Sequence, residues 1–574
     1  MNILADFAEH CGSAADYTEA FRRHAEGSLQ AHAGRKRITV VVVGDCLLWD
    51  VAVELQLLLP GYGVAVDPVL VGARTPSQLI GQLESLTIPS DAVVIYSPVT
   101  FSFSPRLASA MGTSWLKHVS HWKEIVRSEV QAIERVWLQL GEFKVTALVV
   151  NLPSGAALIE DSFRGRLSYA WTWPVRAMLT SRIRKSLTAI LERGLVSNPV
   201  LVDERRFGSS WKAGAQAYNL GEIHPTFLAS NLASTAYLPI VICSSLLVGR
   251  KLVVVDLDNT LWSGVMAEGV VEHFRSRQDA LKRLKRTGVV LAVASKNDPN
   301  RLRWEECALG PADFVAMKIN WQLKSKSVKE IIASLNLGPE AVVFIDDRAD
   351  ERDLVRRSSP GVLALDATDE TVWRAIEAWT KLADSALGDR TSLYRERAAR
   401  ASFLREEAEG DDSGAELAGL GLAVELGRMQ VKHIARAAEL INRTNQFNIN
   451  GVRIVEADWP EAGLDVFVAH AEDKFGTMGM VGVIAITADG FISHFVLSCR
   501  AFGFQVEYAL LAHAVKFSLA DERAIRGVVI DTGRNSPCRE IFGTAGFVQE
   551  DDVWRLRSPM RWECPSWLTL RSDP

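Results

Sequence analysis

A chain of 574 residues is long enough for three or four domains. Its 48% hydrophobic and 23% charged content are those of a globular protein, and a net charge of −5 leaves no basic surplus to suggest nucleic acid. Seven scattered cysteines form no CxxC pair, so neither a zinc site nor a disulfide framework is indicated, and a reducing cytoplasm is the simplest home.

Residues 1 to about 35 read as helical and peripheral, without the basic-then-apolar order of a signal peptide. RITVVVVGDC then predicts a strand and turn, followed by apolar strands at Asp91 to Tyr96, Val145 to Asn151 and Pro199 to Asp203. Helical stretches such as Trp122 to Leu140 and Thr180 to Glu192 separate them, which argues for a doubly wound sheet. The first strand ends in Gly44-Asp45-Cys46, and GEIHP places His224 late in the segment. This layout resembles the SGNH hydrolases, with Cys46 where their serine stands and Gly221 where their aspartate precedes the histidine. A cysteine is a nucleophile when a histidine activates it. Without an orienting acid, Cys46 reads as a packed thiol and His224 as an N-cap or loop residue, although Asp45 or Glu222 could substitute. Pro225 to Gly249 carries no charge and is long enough to span a bilayer. Its Asn231, Pro239 and several hydroxyls favour a buried helix plus linker, so no membrane is expected.

KLVVVDLDNTLW follows, an apolar strand, Leu252 to Val255, running into Asp256, Asp258, Asn259 and Thr260. Ligands of open α/β sheets bind at the carboxyl ends of strands. Two carboxylates one residue apart, with a hydroxyl after them, suit Mg²⁺ and a phosphate there. A second strand, Val289 to Ala294, leads to Ser295-Lys296-Asn297-Asp298; WQLKSKS supplies Lys324 or Lys326; a third strand, Ala341 to Ile345, ends in Asp346-Asp347. Acid pair, strand-end hydroxyl, lysine and acid pair in this order resemble the haloacid-dehalogenase (HAD) phosphohydrolases. More narrowly, DLDNTLWSGV, LAVASKND, INWQLKS and FIDDRADER resemble the FkbH-like family. The resemblance implies Asp256 as in-line nucleophile and Asp258 as general acid/base with a backbone carbonyl on Mg²⁺. It implies Ser295 and Lys324 on the phosphoryl oxygens, Asn259 and Thr260 beside the substrate, and Asp346 with Asp347 completing the metal site. The segment VVEHFR before the helix Ser276 to Arg286, and the stretch from Asp298 to Phe314, are short for that family.

Residues 386 to 420 read as a connector with a solvated charged helix, TSLYRERAARASFLREEAEG. Beyond Leu422, a strand, the amphipathic helix VKHIARAAELINRTNQFN, strands at Asp465 to His470, Met480 to Thr487 and Phe491 to Ser498, the helix Val506 to Leu519 and the strand Ile525 to Asp531 follow. This order resembles a GNAT acyltransferase, and LINRTNQFN, DKFGTMGMVGV and LSCRAFGFQVE resemble the C-terminal part of FkbH-like proteins. The turn Arg500-Ala501-Phe502-Gly503-Phe504-Gln505 has one glycine where a pyrophosphate-binding turn needs several, so a phosphopantetheine arm fits better than acyl-CoA. Cys499 precedes that turn, where Arg500 and a helix N-terminus would lower its pKa and Asn445 and Asn448 would orient a carbonyl. It is a candidate acyl-carrying thiol, or else a buried strand cysteine.

The expected architecture is therefore multidomain α/β: an SGNH-like part over 1–248, a HAD-like part over 249–385, a helical linker over 386–420 and a GNAT-like part over 421–574. The resemblance implies Mg²⁺-dependent processing of a small phosphorylated three-carbon acyl phosphate, 1,3-bisphosphoglycerate in the family's usual case. The glyceryl group then passes to an acyl carrier protein in polyketide or mixed peptide assembly. A phosphatase of another small metabolite, or a carrier-binding scaffold, is the alternative.

Overall fold

The computed structural model describes residues 36–44, 46–72, 76–97, 119–152, 181–182, 184–186, 188–189, 199–203, 232–383, 388–407, 417–454, 463–520, 523–557 and 559–572. The described residues up to Arg390 form one compact unit and those from Thr391 a second, with Ala333–Asn336 clustering with the second.

The first unit contains two five-stranded parallel sheets. Runs of valine and isoleucine give strands covered on both sides, as parallel sheets require. The N-terminal sheet comprises β1 (Lys36–Val43), β2 (Val64–Val71), β3 (Val93–Tyr96), β4 (Ala147–Leu152) and β5 (Pro199–Asp203), in the order β2-β1-β3-β4-β5. Helices α1 (Cys46–Leu58), α2 (Pro76–Glu84) and α3 (Val119–Gly141) connect it. The uncharged run continues into α4, made of Ala233–Tyr237, Leu238–Ile242 and Cys243–Leu247, whose apolar side chains are almost all buried. No helix among the described residues is long and apolar enough to cross a membrane.

The second sheet comprises β6 (Leu252–Val255), then, after the hairpin β7 (Trp262–Ser263) and β8 (Glu272–His273), β9 (Val290–Ser295), β10 (Phe314–Ile319), β11 (Val342–Asp346) and β12 (Leu363–Asp366). Its order is β10-β9-β6-β11-β12, all parallel. Helices α5 (Arg275–Lys285), α6 (Lys324–Ser334), α7 (Ala349–Ser358) and α8 (Glu370–Leu382) alternate with the strands. The direction of winding reverses between β6 and β11, which opens a crevice at their carboxyl ends. One continuous core joins the faces of both sheets through α4 and α8, with Trp262, Tyr237 and Trp379 almost wholly buried. Tyr62 of the N-terminal half donates to Asp369 Oδ2 at 2.7 Å, while Asp369 Oδ1 caps α8 at the Thr371 amide.

In the second unit, the helix expected to be a solvated connector, α9 (Thr391–Glu407), is packed instead. Arg400 is 4% exposed and forks onto both carboxylate oxygens of the buried Asp473. Such a bidentate pair fixes the helix, where a solvated face would carry unpaired charge. The strands are β13 (Ala423–Arg428), β14 (Asp465–Asp473), β15 (Gly476–Ile486), β16 (Phe491–Leu497), β17 (Arg526–Gly527), β18 (Val548–Glu550), β19 (Val553–Arg555) and β20 (Thr569–Ser572). They form one sheet, β18-β19-β17-β16-β15-β14-β13-β20, antiparallel except at β16–β17 and β13–β20. Helices α10 (Ile434–Arg443), α11 (Val506–Ala520) and the short α12 (Ile541–Thr544) complete the unit.

The strand expected over Ile525 to Asp531 pairs with β16 at only two residues, Phe491↔Arg526 and Ile492↔Gly527. Beyond them the segment around Asn448 takes over the pairing. Asn448 bridges Val496, Leu497 N donates to Phe447 O, and Ile530 N donates to Ile449 O. The buried Asn535 side chain ties this segment down through Asn448 O and Ile530 O.

Candidate phosphate and metal site

The switch point of the second sheet gathers the residues that its sequence spaces far apart. Asp256 follows the last residue of β6, and Asp346 ends β11, the strand hydrogen-bonded beside it. Asp256 N donates to Ile345 O at 2.9 Å, which fixes the two strand ends to each other. Lys324, the first residue of α6, reaches between them: its Nζ lies 3.0 Å from Asp256 Oδ1 and 2.7 Å from Asp346 Oδ2. All three side chains are at most 5% exposed. Ser295, the last residue of β9, is buried and hydrogen-bonds the Asp256 carboxylate.

Of the two lysines the sequence left open, Lys324 is buried at the carboxylates and Lys326 is exposed. The helical repeat explains the choice. Lys324 shares a face with the buried Val328, Ile331 and Ile332, and Lys326 points away from it.

Asp256, Asp346 and Asp347 each offer a carboxylate oxygen within 4.8 Å of the others. Three carboxylates share one ammonium, so this pocket holds a surplus of buried negative charge. Burial pushes the Asp256 carboxyl up, with Lys324 pulling against it. Asp346 is pushed up to about 6, first by burial and then by Asp256. Asp347 is raised by burial and by Asp346. Burial draws Lys324 down, but the two carboxylates outweigh it and the net shift is upward. Hard oxygen donors with uncompensated charge at the mouth of a parallel sheet fit a divalent cation such as Mg²⁺. The cluster can therefore hold a metal ion.

Asp258 stands apart from that cluster and is held from both sides. Its Oδ1 accepts from Trp262 Nε1 at 2.7 Å and Met266 N at 3.2 Å, and its Oδ2 accepts from Asn297 Nδ2 at 2.9 Å. Burial nevertheless raises its pKa, against the donors of Trp262 and Met266. Asn259 adopts φ 55°, a left-handed conformation that asparagine tolerates, and its exposed side chain caps Gly264 N at 2.9 Å. It is spent on the loop rather than presented beside the carboxylates. Thr260 is fully buried with its hydroxyl unpartnered, while its backbone carbonyl accepts from Arg277.

Three supporting residues were not singled out from the sequence. Asn297 sits two residues beyond the strand-end serine and orients Asp258. Arg352 donates to Asp346 O at 2.9 Å and to Asp366 Oδ2 at 2.5 Å, bracing the turn that carries Asp346 and Asp347. Buried Glu351 accepts from Lys296 Nζ at 2.6 Å. The signal for the last two was their place in the first turn of α7, directly after the acid pair.

The other sequence candidates lie elsewhere. Cys46 is the first residue of α1, beyond the end of β1 in the N-terminal sheet, and His224 falls outside the described residues, as do Asp45, Gly221 and Glu222. Cys499 belongs to the second unit. It opens a short turn after β16, half-buried, with Arg397 Nη1 3.7 Å from its sulfur. Arg500, expected to act on that thiol, donates to Ser498 Oγ and Met480 O. Asn448 is consumed by its own chain, accepting from Gly451 N and donating to Thr444 O, and Asn445 accepts from Arg453. Gln505 takes a left-handed φ of 51° and accepts from Trp562 Nε1 at 2.9 Å.

No family profile matches the chain, and no curated protein matches it. Among solved structures it is similar to the N-terminal part of the protein BF1531 from Bacteroides fragilis, which contains a phosphatase domain complexed with Mg. The match has 20% identity and a TM-score of 0.39, over 63% of this chain and 97% of that one.

Proposed function

We propose that the first unit performs Mg²⁺-dependent phosphoryl chemistry on a small phosphorylated metabolite. The observation that carries this reading is Lys324 lodged between Asp256 and Asp346 at the switch point, with Asp347 beside them. The HAD-like order of motifs supports it. Asp256, Asp346 and Asp347 would hold Mg²⁺, which would neutralise phosphoryl oxygens and so lower the cost of charge in the transition state.

This chain's own groups do the rest. The Asp256 carboxylate attacks phosphorus, and the bond from phosphorus to the leaving oxygen breaks as the new one forms. The Lys324 ammonium holds Asp256 in place and meets the phosphoryl oxygens. Asp258, with its raised pKa and fixed orientation, gives its proton to the leaving oxygen and later takes one from the attacking water. Asn297 and Trp262 keep that carboxyl aimed.

The finer reading follows the FkbH-like motifs. The substrate is an acyl phosphate of a three-carbon acid, and in this reading Asp256 holds the phosphate rather than attacking phosphorus. A thiolate attacks the acyl carbon, the acyl C–O bond breaks with phosphate as leaving group, and the phosphopantetheine thiol of a carrier protein then displaces that thiolate to take the acyl group. Cys499, with Arg397 at its sulfur, is the candidate intermediate thiol. The test combines phosphate release in Mg²⁺ with intact-mass measurement of a holo carrier protein supplied with generated 1,3-bisphosphoglycerate. A glyceryl mass gain lost in Asp256→Asn and Cys499→Ala is the expected result. Phosphate release without mass gain would leave a phosphatase. Neither product would favour a carrier-binding scaffold.

A further inference from the structure

The second unit contains a polar cavity that the proposed chemistry does not use. It measures about 240 Å³ and is lined by Glu425, Gln430, Lys432, His433 and His470, with Gly427 and Val468 among the remaining wall. The sheet register builds its floor. Glu425 lies opposite His470, and Gly427 opposite Val468, across the antiparallel β13–β14 ladder. Residues two apart on a strand share a face, so these four side-chain positions face the same way. Gly427 contributes no side chain, which leaves the floor open. The short turn Val431–His433, leading into α10, closes one end and brings His433 to 5.1 Å from the His470 ring.

The tautomer of His433 decides what the cavity presents. Its Nδ1 accepts from the Gln430 backbone N–H at 3.3 Å. A neutral imidazole that accepts at Nδ1 carries its proton on Nε2, and is a donor there rather than a metal ligand. Among the described residues, the only group of three or more metal-ligating side chains with converging atoms is the Asp256 cluster, so Glu425, His433 and His470 do not form a second one. Lys432 is exposed and makes no ion pair among the described residues. The His470 side chain makes no hydrogen bond among them either, and its ring is half-buried. Arg428 also borders the cavity, but its guanidinium lies by Asp465 and over the rings of Phe467 and Phe517.

We propose that this cavity is a proton-coupled binding site for a small oxyanion, a phosphate or a carboxylate, held by Lys432, His433 and His470. An imidazole N–H, a second imidazole without a hydrogen bond and an unpaired lysine line a space large enough for such an anion. Glu425 opposes the anion and sets the sign of the pH response. With both imidazoles neutral, the Lys432 and Glu425 charges cancel and the cavity is neutral. Proton uptake by His470 turns it cationic, while His433, whose Nδ1 is taken by the Gln430 N–H, donates from Nε2 in its neutral form. Both imidazoles are held below their ordinary range, first by burial; His433 is further lowered by Lys432, and His470 by His433 and Lys432, while Glu425 pulls the other way. An anion must restore the proton on His470, so it binds tighter as pH falls.

The experiment is calorimetric titration of the full chain with inorganic phosphate, and separately with acetate, at pH 5.5 and 7.5. Two buffers of different ionisation enthalpy report the proton uptake. Affinity about tenfold higher at pH 5.5, with protons taken up, is expected for one charge-assisted hydrogen bond gained. His470→Asn flattens that pH dependence, and His433→Ala weakens binding at both pH values. Lys432→Met, an exposed position that leaves the fold alone, weakens binding at both pH values, and Glu425→Gln strengthens it at pH 7.5. Lys324→Met leaves these effects in place, which separates the cavity from the carboxylate site of the first unit. A preference for phosphate over acetate would assign a phosphorylated ligand, and equal affinity a carboxylate. Anion binding that is independent of pH and of Lys432, or binding of Zn²⁺ with no binding of either anion, would overturn the proposal.

Discussion

The two parallel sheets of the first unit are wound alike and share one core, yet their switch points differ in chemistry. In the N-terminal sheet the strand order reverses between β1 and β3, whose ends carry Gly44 and the buried Ser97. A side chain at Gly44 would press on the Ser97 backbone at 3.3 Å, so the two strand ends close on each other. In the second sheet the reversal between β6 and β11 carries Asp256 and Asp346 with Lys324 between them. Equal topology thus gives two switch points, and among the described residues at their strand ends only those of the second sheet are charged.

The largest expected effect removes the charged crevice's reacting group. Asp256→Asn keeps the shape and the approach of Lys324 but not the nucleophile. Mg²⁺-dependent phosphate release should fall by on the order of 10³-fold or more, with the melting temperature little changed. An active Asp256→Asn would move the chemistry out of this switch point.

Lys324→Met sharpens the same contrast through stability. It strands two buried carboxylates, and breaking a buried pair from one side costs about 3 kcal/mol. Denaturation in EDTA should show that loss, and added Mg²⁺ should recover part of it by binding the native state alone. Lys326→Met, on the exposed face of the same helix, should stay within about 0.5 kcal/mol of wild type.

Much of this site was legible because its residues sit at the ends of apolar strands, where sequence order maps onto position. Asp256, Ser295 and Asp346 end or follow β6, β9 and β11, and their neighbours in the sheet follow from the parallel winding. The choice of Lys324 over Lys326 was also present in the sequence, in the apolar repeat Val328, Ile331, Ile332. Side-chain partners were less legible. Nothing local tells that Trp262 and Asn297 converge on Asp258, since a turn of two residues after β9 re-aims the amide. Asn259 read as a substrate contact, but its left-handed backbone commits it to Gly264. In the second unit, the charged helix α9 looked solvated because its partner, Asp473, lies 73 residues away.

A buried carboxylate without a compensating cation behaves differently, and Glu507 in α11 supplies that case. Its Oε2 has no partner and burial pushes its pKa up to about 7. A carboxyl raised in the folded state adds stability that is complete below its unfolded pKa and is lost as pH rises toward the folded value. Wild-type stability should therefore decline between about pH 4.5 and 7, by roughly 3 kcal/mol from this group. Glu507→Gln should remove that slope and be the more stable protein at pH 8. Urea denaturation at pH 5 and pH 8 measures it, and an unchanged slope in the variant would remove Glu507 as its source.

The smallest effect tests whether the two sheets behave as one body. Tyr62 OH reaches Asp369 Oδ2 across the shared core, and Asp369 still caps α8 through its other oxygen. Tyr62→Phe deletes one hydrogen bond to a charged acceptor and should cost about 1 kcal/mol. If the shared core makes the unit cooperative, that loss appears as a single shifted transition for both sheets, with phosphate release unaffected at temperatures below it. If the N-terminal sheet melted alone and the second sheet kept its transition, the two would be separate folding units that merely touch. The charged crevice would then owe its rigidity to β6, β11 and Arg352 rather than to the sheet behind it.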